Sequence, residues 1–600
     1  YSLLNNIDKG TVDRFLGNIF LEATPIDGLT LKVNAGIDKA EQKRRTYQPK
    51  TTLNGNKLQG VGAIYNVDNN QYLLEGTATY SKVLADIHQI NLLAGTSYEQ
   101  FNYESSNLSN NNFLTDGFIY NNLGAGIGVK GVGSGYSENK MLSYFFRSNY
   151  ILKNRYLLTA TLRADGASVF ARNHKWGYFP SVALGWTISE ESFMKKASSW
   201  LDILKLRLSW GQTGNSQIGS NAFAAYYASN AWNKEDGSQE TGVFQGRLEN
   251  PDLKWETTTE WNLGIDIGLF KNRLSATIEL YQKVISDLLN YKPLNSYQEI
   301  TSVIANVGKT QSRGIEVTLN SKNIVSKDFF WSTDLTFTKY QDRWKERTPD
   351  WKPAVYEQYD APIRAIYSRR ASHILQIGEE APAAQPDLKP GQLVIKDLNG
   401  YVRDENGDPA VDENGRFMLL GHPDGIIDDA DTELIGTSDP GWLAGMTNTF
   451  KYKNFDLTIQ LNGMFDRLMQ DPTAMAYGIS GDGIAQYGYN ALRSIKNRWT
   501  WDNPSTKQPS TFNGWDNTYG SGDWFFQKAW FIRAQNITLG YNVPNSFLQK
   551  TKYISSLRLY ASINNAFIIT PYEGLDPETD YYTAAYPNAR TFTMGINVSF

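Results

Sequence analysis

The chain has 600 residues, 41% apolar and 13% aromatic, with a net charge of −4 and no cysteine. Its 58 basic and 62 acidic residues are interspersed, which excludes an electrostatic nucleic-acid footprint, while the lack of Cys excludes thiol catalysis, disulfides and Cys-ligated zinc. The length exceeds the roughly 250–300 residues at which one packed core stops growing, yet no run of about 18 apolar residues offers a membrane helix.

Period-two alternation is the dominant pattern. Read with Gly, Pro, Asn and Asp clusters as punctuation, it predicts strands near 11–24, 28–41, 71–84, 88–100, 138–151, 155–166, 177–189, 203–213, 255–269, 272–284, 308–321, 328–341, 442–451, 454–465, 524–541, 556–564 and 590–600. The hairpin around Lys271-Asn272 shows the rule. Trp261, Leu263, Ile265, Ile267 and Leu269 fall on one face and Glu260, Asn262, Gly264, Asp266 and Gly268 on the other. After the turn, Leu274, Ala276, Ile278 and Leu280 oppose Ser275, Thr277, Glu279 and Tyr281. Arms of about a dozen residues exceed the usual five or six and match the roughly 9–11 tilted residues that cross a bilayer. The expected fold is all-β, a transmembrane antiparallel β-barrel with apolar outer and polar inner rows.

The connections alternate in length. Short ones fall at Pro25 to Gly28, Lys153-Asn154, Lys271-Asn272, Lys322 to Lys327 and Lys453-Asn454; long ones span 42–70, 101–137, 214–254, 285–307, 342–441, 466–523 and 565–589. Outer-membrane barrels segregate loops in this way, with short periplasmic turns and long extracellular loops. About seventeen strands is an odd number, and a closed single-chain barrel of this kind needs an even one, so at least one further strand is expected upstream of Tyr1. The last strand, Thr591 to Phe600, alternates and ends on an aromatic; left unpaired it would be an adhesive edge.

Several strings, taken in order, resemble the SusC/RagA family of TonB-dependent outer-membrane transporters. They are Leu162-Arg163-Ala164-Asp165-Gly166-Ala167-Ser168, Trp176-Gly177-Tyr178-Phe179-Pro180-Ser181, Gly211-Gln212-Thr213-Gly214-Asn215 and Asn250-Pro251-Asp252-Leu253-Lys254-Trp255-Glu256. Ser312-Arg313-Gly314-Ile315-Glu316, Asn564-Asn565-Ala566-Phe567 and Tyr572-Glu573-Gly574-Leu575-Asp576-Pro577-Glu578 continue the series. The resemblance implies a 22-stranded barrel in the bacterial outer membrane, closed by an N-terminal plug and energised through TonB. It also implies a SusD-like lipoprotein lid over the mouth and a dimer of transporter–lid pairs. No plug domain or TonB box is found in these residues, so the strands read as the C-terminal part of such a barrel.

Two sets of loop residues carry candidate chemistry. Asp397, Asn399, Asp424, Ile426 (through its carbonyl), Asp428 and Asp431 spell the calcium-loop pattern D-x-N-x-D-G-x-I-x-x-x-D, split by an insertion after Gly400. The bland alternative is a solvated loop whose Asp, Asn and Gly serve turns. The aromatics Trp344, Trp351, Tyr356, Tyr359, Tyr477, Tyr487, Tyr489, Trp515 and Tyr519 are candidate ligand contacts, against the alternative that they pack the loops or join a headgroup girdle. No catalytic constellation appears: His88, His174, His373 and His422 are scattered, with no HExxH, G-x-S-x-G or phosphate-cradling loop.

The leading expectation is a TonB-energised importer of nutrient oligomers, oligosaccharides ahead of peptides. Its lumen would be lined by Glu260, Asp266, Glu279, Glu316, Asp456 and Asn462. A non-transporting adhesin or structural barrel is the alternative from another class, and a soluble carbohydrate-active β-protein a third.

Overall fold

The computed structural model describes residues 2–600 apart from 235–238, 295–296, 298–299, 349–350, 414–415, 480–489, 511–521, 550–552 and 580–584. The chain divides into two compact units. One comprises Tyr1–Thr187, Arg207–Trp261 and Ile285–Gly308, the other Ile188–Leu206, Asn262–Val284 and Lys309–Phe600.

The first unit opens with a meander: β1 (Ile7–Ile26), β2 (Leu29–Gln48), β3 (Val61–Leu84), β4 (His88–Asn111), β5 (Gly131–Leu152), β6 (Tyr156–Ala167) and β7 (Trp176–Thr187). Each pairs antiparallel with its successor. β8 (Leu201–Asn215), β9 (Glu256–Leu269) and β10 (Leu274–Ser286) contribute residues to both units. The second unit continues with β11 (Lys309–Val325), β12 (Phe329–Glu346), β13 (Trp442–Tyr452), β14 (Phe455–Phe465), β15 (Phe531–Asn542), β16 (Ser556–Asn564) and β17 (Thr591–Ser599), again as an antiparallel meander. Ile568–Ile569 carries the line of β16 on along β15 after a break at 565–567. The architecture is all-β, with the 17 strands expected.

Tight turns join the strands where the sequence places them. Gly28 adopts φ +82°, and a Cβ there would lie 2.4 Å from the Ser81 carbonyl oxygen, so this turn needs glycine twice over. Lys153 and Asn154 both take positive φ (51° and 56°), as hairpin turns matched to strand twist require.

Strand ends differ from expectation. β1 to β5 run 20, 20, 24, 24 and 22 residues, so the ladder continues through stretches read as loop, such as Gln42–Gln48 and Phe101–Asn111. There the apolar alternation fades, with Tyr47 and Asn110 buried under loop residues and their neighbours polar, while the backbone hydrogen bonds persist. The expected strand 524–541 breaks instead at Ala529 and Trp530: Phe526–Lys528 turns to pair with Leu468–Gln470, and β15 starts afresh.

Large apolar side chains on the ladder strands lie exposed, among them Leu162 (52%), Leu184 (52%), Leu539 (51%) and Met594 (87%). The fully buried ones gather at loop bases, as in the cluster of Phe170, Phe179, Leu253 and Trp255. A sandwich would bury its strand faces against each other, whereas the described clusters combine loop residues with residues near strand ends, such as Tyr47, Ala167 and Phe179. On β14 the row Phe455, Leu457, Ile459, Leu461 and Phe465 opposes Asp456, Thr458, Gln460 and Asn462. Aromatics stack across strands at both ends of the apolar row. Trp331–Phe450 (5.6 Å) and Phe455–Tyr541 (4.8 Å) mark the turn end; Trp442–Phe465 (3.7 Å) and Phe465–Trp530 (6.2 Å) mark the loop end. Ten residue steps from Phe455 to Phe465 cover about 33 Å of strand, or about 23 Å of height at the usual tilt. That fits the roughly 25 Å apolar band between the aromatic girdles of a membrane barrel.

Candidate functional site

The acidic loop folds around hydrogen bonds to main-chain amides. Asp431, with no exposed surface, accepts at Oδ1 from the amides of Leu398 (2.6 Å) and Asn399 (3.2 Å) and at Oδ2 from Asp428 (2.8 Å). Asp397 accepts from the amides of Asp424 (3.3 Å) and Gly425 (2.7 Å), and Asn399 Oδ1 from Gly400 (3.0 Å) and Gly421 (2.7 Å). Asp424 and Asp428 close turns onto the amides of Ile426 (3.0 Å) and Ala430 (2.8 Å). A Cβ on Gly400 would lie 2.3 Å from Asp424 Cγ, which explains the glycine. The insertion is a small three-segment meander bridged at Tyr401–Leu419, Arg403–Pro409 and Val411–Phe417.

Charge is concentrated here. Burial holds the Asp428 carboxyl above the usual aspartate value, with Asp431 and Asp424 adding to the effect against the Ala430 amide. Burial, then the Asp428 charge, pushes the Tyr401 hydroxyl up to about 12. Tested for calcium, the side chains point at amides more than at a common centre. Among the described residues no three carboxylates or histidines are grouped so as to hold a metal. The exposed side of Ile426 (47%) leads into solvent.

The loop aromatics are partly brought together. The Arg347 guanidinium sits 4.5 Å from the Trp344 ring centre and 4.6 Å from that of Trp351, with Trp351 edge-on to Tyr359 at 6.0 Å. Its Nε donates to the Tyr359 carbonyl (3.3 Å) and Nη2 to that of Gln358 (3.4 Å), and burial lowers its basicity. Tyr356 packs on Tyr367 instead (5.3 Å), and Tyr477 lies apart in the 475–479 turn of helix. Tyr487, Tyr489, Trp515 and Tyr519 lie outside the described residues. Sequence reasoning missed Arg347, since nothing in its spacing says which indoles a flexible cation will enter.

The strings that carry the family resemblance serve as clasps. Trp255 donates from Nε1 to the Lys175 carbonyl (2.9 Å) and meets Phe179 edge-on at 5.4 Å. Glu256 accepts from Asn215 Nδ2 (3.0 Å) and the Leu289 amide (3.0 Å), tying three loops. Arg370, also missed, reaches Glu433 with Nε and Asp523 with Nη1 (2.9 Å), and these partners raise its basicity.

The polar strand rows gather charged and hydroxyl side chains. In the first unit a cavity of about 610 Å³ is lined by Thr159, Thr161, Arg163, Asp165, Gln212 and Glu260, with Arg163 and Asp165 paired at 2.8 Å. In the second, Asp456 pairs with Arg558 at 2.5 Å beside a cavity of about 320 Å³, and Asp266 accepts from Thr277 at 3.1 Å. Asn462 carries a buried oxygen without a hydrogen-bond partner. Of the four histidines, His88 bonds Tyr150 (2.6 Å) and His373 bonds Glu379 (3.0 Å), far from any shared centre.

The family model described as "TonB dependent receptor-like, beta-barrel" matches residues 4–370. The TonB-dependent receptor P3 of Formosa agariphila is 29% identical over 609 residues, 99% of this chain and 59% of its own length. The TonB-dependent receptor SusC of Bacteroides thetaiotaomicron is 33% identical over 479 residues, 77% of this chain and 44% of its own. A chain of the RagAB peptide transporter superimposes with a TM-score of 0.83 at 24% identity, over 100% of this chain and 63% of that one, a likeness of fold. The chain thus spans less than two thirds of the length of each.

Proposed function

The chain belongs to the family of TonB-dependent receptor-like β-barrels, proteins of the Gram-negative outer membrane, and on that premise we propose that it walls an importer of nutrient oligomers. The observation that carries this reading is the contrast between the two faces of the strands. One face is aliphatic with aromatic ends; the other presents Arg163, Asp165, Glu260, Asp456 and Arg558, which suit a water-filled passage and not a lipid contact.

Transport is then a conformational process powered by TonB through a plug, with capture under a SusD-like lipoprotein lid and pairs of transporter and lid assembled as dimers. No covalent step is required. Oligosaccharides are ranked ahead of peptides because hydroxyls and an amide (Thr159, Thr161, Ser181, Gln212, Thr213) line the 610 Å³ cavity beside Trp210. Such groups read sugar hydroxyls, with an aromatic face for the ring. The solved neighbour is named a peptide transporter, so peptides are the control substrate. Calcium in the 397–431 loop belongs to this proposal as a separate binding test, with Asp397, Asn399, Asp424, Asp428, Asp431 and the Ile426 carbonyl as its donors.

The test is uptake of labelled oligosaccharides and oligopeptides by cells carrying the full-length protein, with and without TonB. Energy-dependent uptake of the sugar is expected. Binding to whole cells that persists unchanged without TonB, with no accumulation, would assign the loops to adhesion.

A further inference from the structure

We propose that the loop end of β13, β14 and β15 carries a binding site for a phosphorylated lipid of the outer leaflet. The site is a cavity of about 980 Å³ walled by Trp442, Phe465, Trp530, Leu468 and Ile532, and roofed by the loop strand at Ile435–Thr437.

Its position comes from the alternation. Phe465 continues the apolar row of β14, and Trp442 is its register partner on β13. The ring planes of Trp442 and Phe465 lie 6° apart, and those of Phe465 and Trp530 13° apart, making one aromatic shelf. This shelf is the loop-end girdle, so the cavity opens where headgroups meet acyl chains. Apolar walls there suit hydrocarbon more than water.

The charges select the headgroup. Lys528 is exposed, lies opposite Leu468 in the register of the small hairpin, and has no carboxylate within ion-pair distance among the described residues. Arg467 also lines the cavity and is 5% exposed. Among the described residues its Nη atoms donate only to the sulfurs of Met464 (3.7 Å) and Met469 (3.1 Å) and Nε has no hydrogen-bond partner, while the Asp439 carboxylate feels its charge without pairing with it. Asp466 is the one acid on the lining, leaving a net positive charge. A buried guanidinium held by thioethers is far from satisfied, because sulfur is a weak acceptor and cations are usually paired when desolvated. A phosphate next to an aromatic and aliphatic wall answers both needs, as basic pockets at membrane surfaces do.

The site rests on the outer-membrane reading of the strands and is independent of import. Full-length protein purified in detergent is mixed with phosphorylated lipid A or its dephosphorylated form, and retained lipid is counted by native mass spectrometry. Wild type should retain the phosphorylated form about tenfold better, Lys528→Glu should lose that preference, and Lys528→Arg should keep it. Lys528 is exposed, so its variants should fold, which a heat-modifiable gel shift and unchanged uptake would verify. Equal retention of the two lipids, or an unchanged Lys528→Glu protein, overturns the site while leaving the transporter reading standing. Displacement of the lipid by millimolar inorganic phosphate alone would reassign the cavity to a free anion and likewise overturn it.

Discussion

Arg533 on β15 and Asp576 in the last long loop form an ion pair of 2.6 Å, with both side chains almost wholly buried (5% and 6% exposed). Asp576 also accepts from the amides of Glu578 (3.0 Å) and Asn588 (3.2 Å), and Glu578 adds a second carboxylate to Arg533 at 3.1 Å. The string Tyr572 to Glu578 therefore pins its loop to the strand beneath it.

Removing one partner of such a pair strands a charge out of water. Arg533→Ala should cost about 3–5 kcal/mol and open the 570–579 segment to protease, whereas Asp576→Asn should cost less because Glu578 remains. Limited proteolysis and urea unfolding of the purified protein measure both. Equal losses in the two variants would show that Glu578 does not share the load.

The acidic loop should hold its shape without a metal, since its carboxylate oxygens accept from amides. Chelation is expected to leave protease resistance at 397–431 unchanged, while Asp431→Ala, which abandons three amides, should abolish it. Protection that rises on adding calcium, with saturation, would establish the ion instead.

Asp428 gives the same loop a pH response. Its folded pKa lies above the usual 3.8, so the folded loop binds the proton more tightly than the unfolded chain. The stabilising contribution is present below 3.8 and fades as pH rises through the raised value; near neutrality the ionised carboxylate is a burden. Asp428→Asn should thus stabilise the loop at pH 7 and flatten its pH profile, read by hydrogen exchange at Ala430. A profile unchanged by the substitution would remove Asp428 as the cause.

Arg347 occupies the faces that Trp344 and Trp351 would offer a ligand. Arg347→Ala should release about 0.5–2 kcal/mol of cation–π attraction and shift the tryptophan emission to the red. Arg347→Lys keeps the charge but loses the fork that reaches the Gln358 and Tyr359 carbonyls, so an intermediate shift is expected. Emission that stays at the wild-type wavelength in both variants would mean the indoles do not depend on the cation.

What the sequence told and what it withheld divides along physical lines. Rows such as Phe455 to Phe465 were legible because hydrocarbon on one side and water on the other imprint a period of two on the residues. The upper halves of β3 and β4 were not, because no hydrocarbon sets a period of two there and the ladder is held by main-chain pairing, which has no side-chain code. The acidic pattern was readable as residues, but whether its oxygens take amides or an ion is a matter of ångströms. The Arg370 bridge and the lining of the 980 Å³ cavity join segments far apart in the chain, and composition gives no hint of such meetings; the Trp344–Arg347–Trp351 stack is local, but its irregular backbone leaves no periodicity to read.

The length of β3 has a consequence for what approaches the cell. Its 24 residues span about 80 Å, rising about 55 Å at the usual tilt, of which only about 25 Å can lie in oil. The remaining 30 Å or so is ribbon outside the oil, hydrogen-bonded on both edges to β2 and β4. A ligand docking on β3 there meets backbone already held in a ladder, so little ordering entropy is lost.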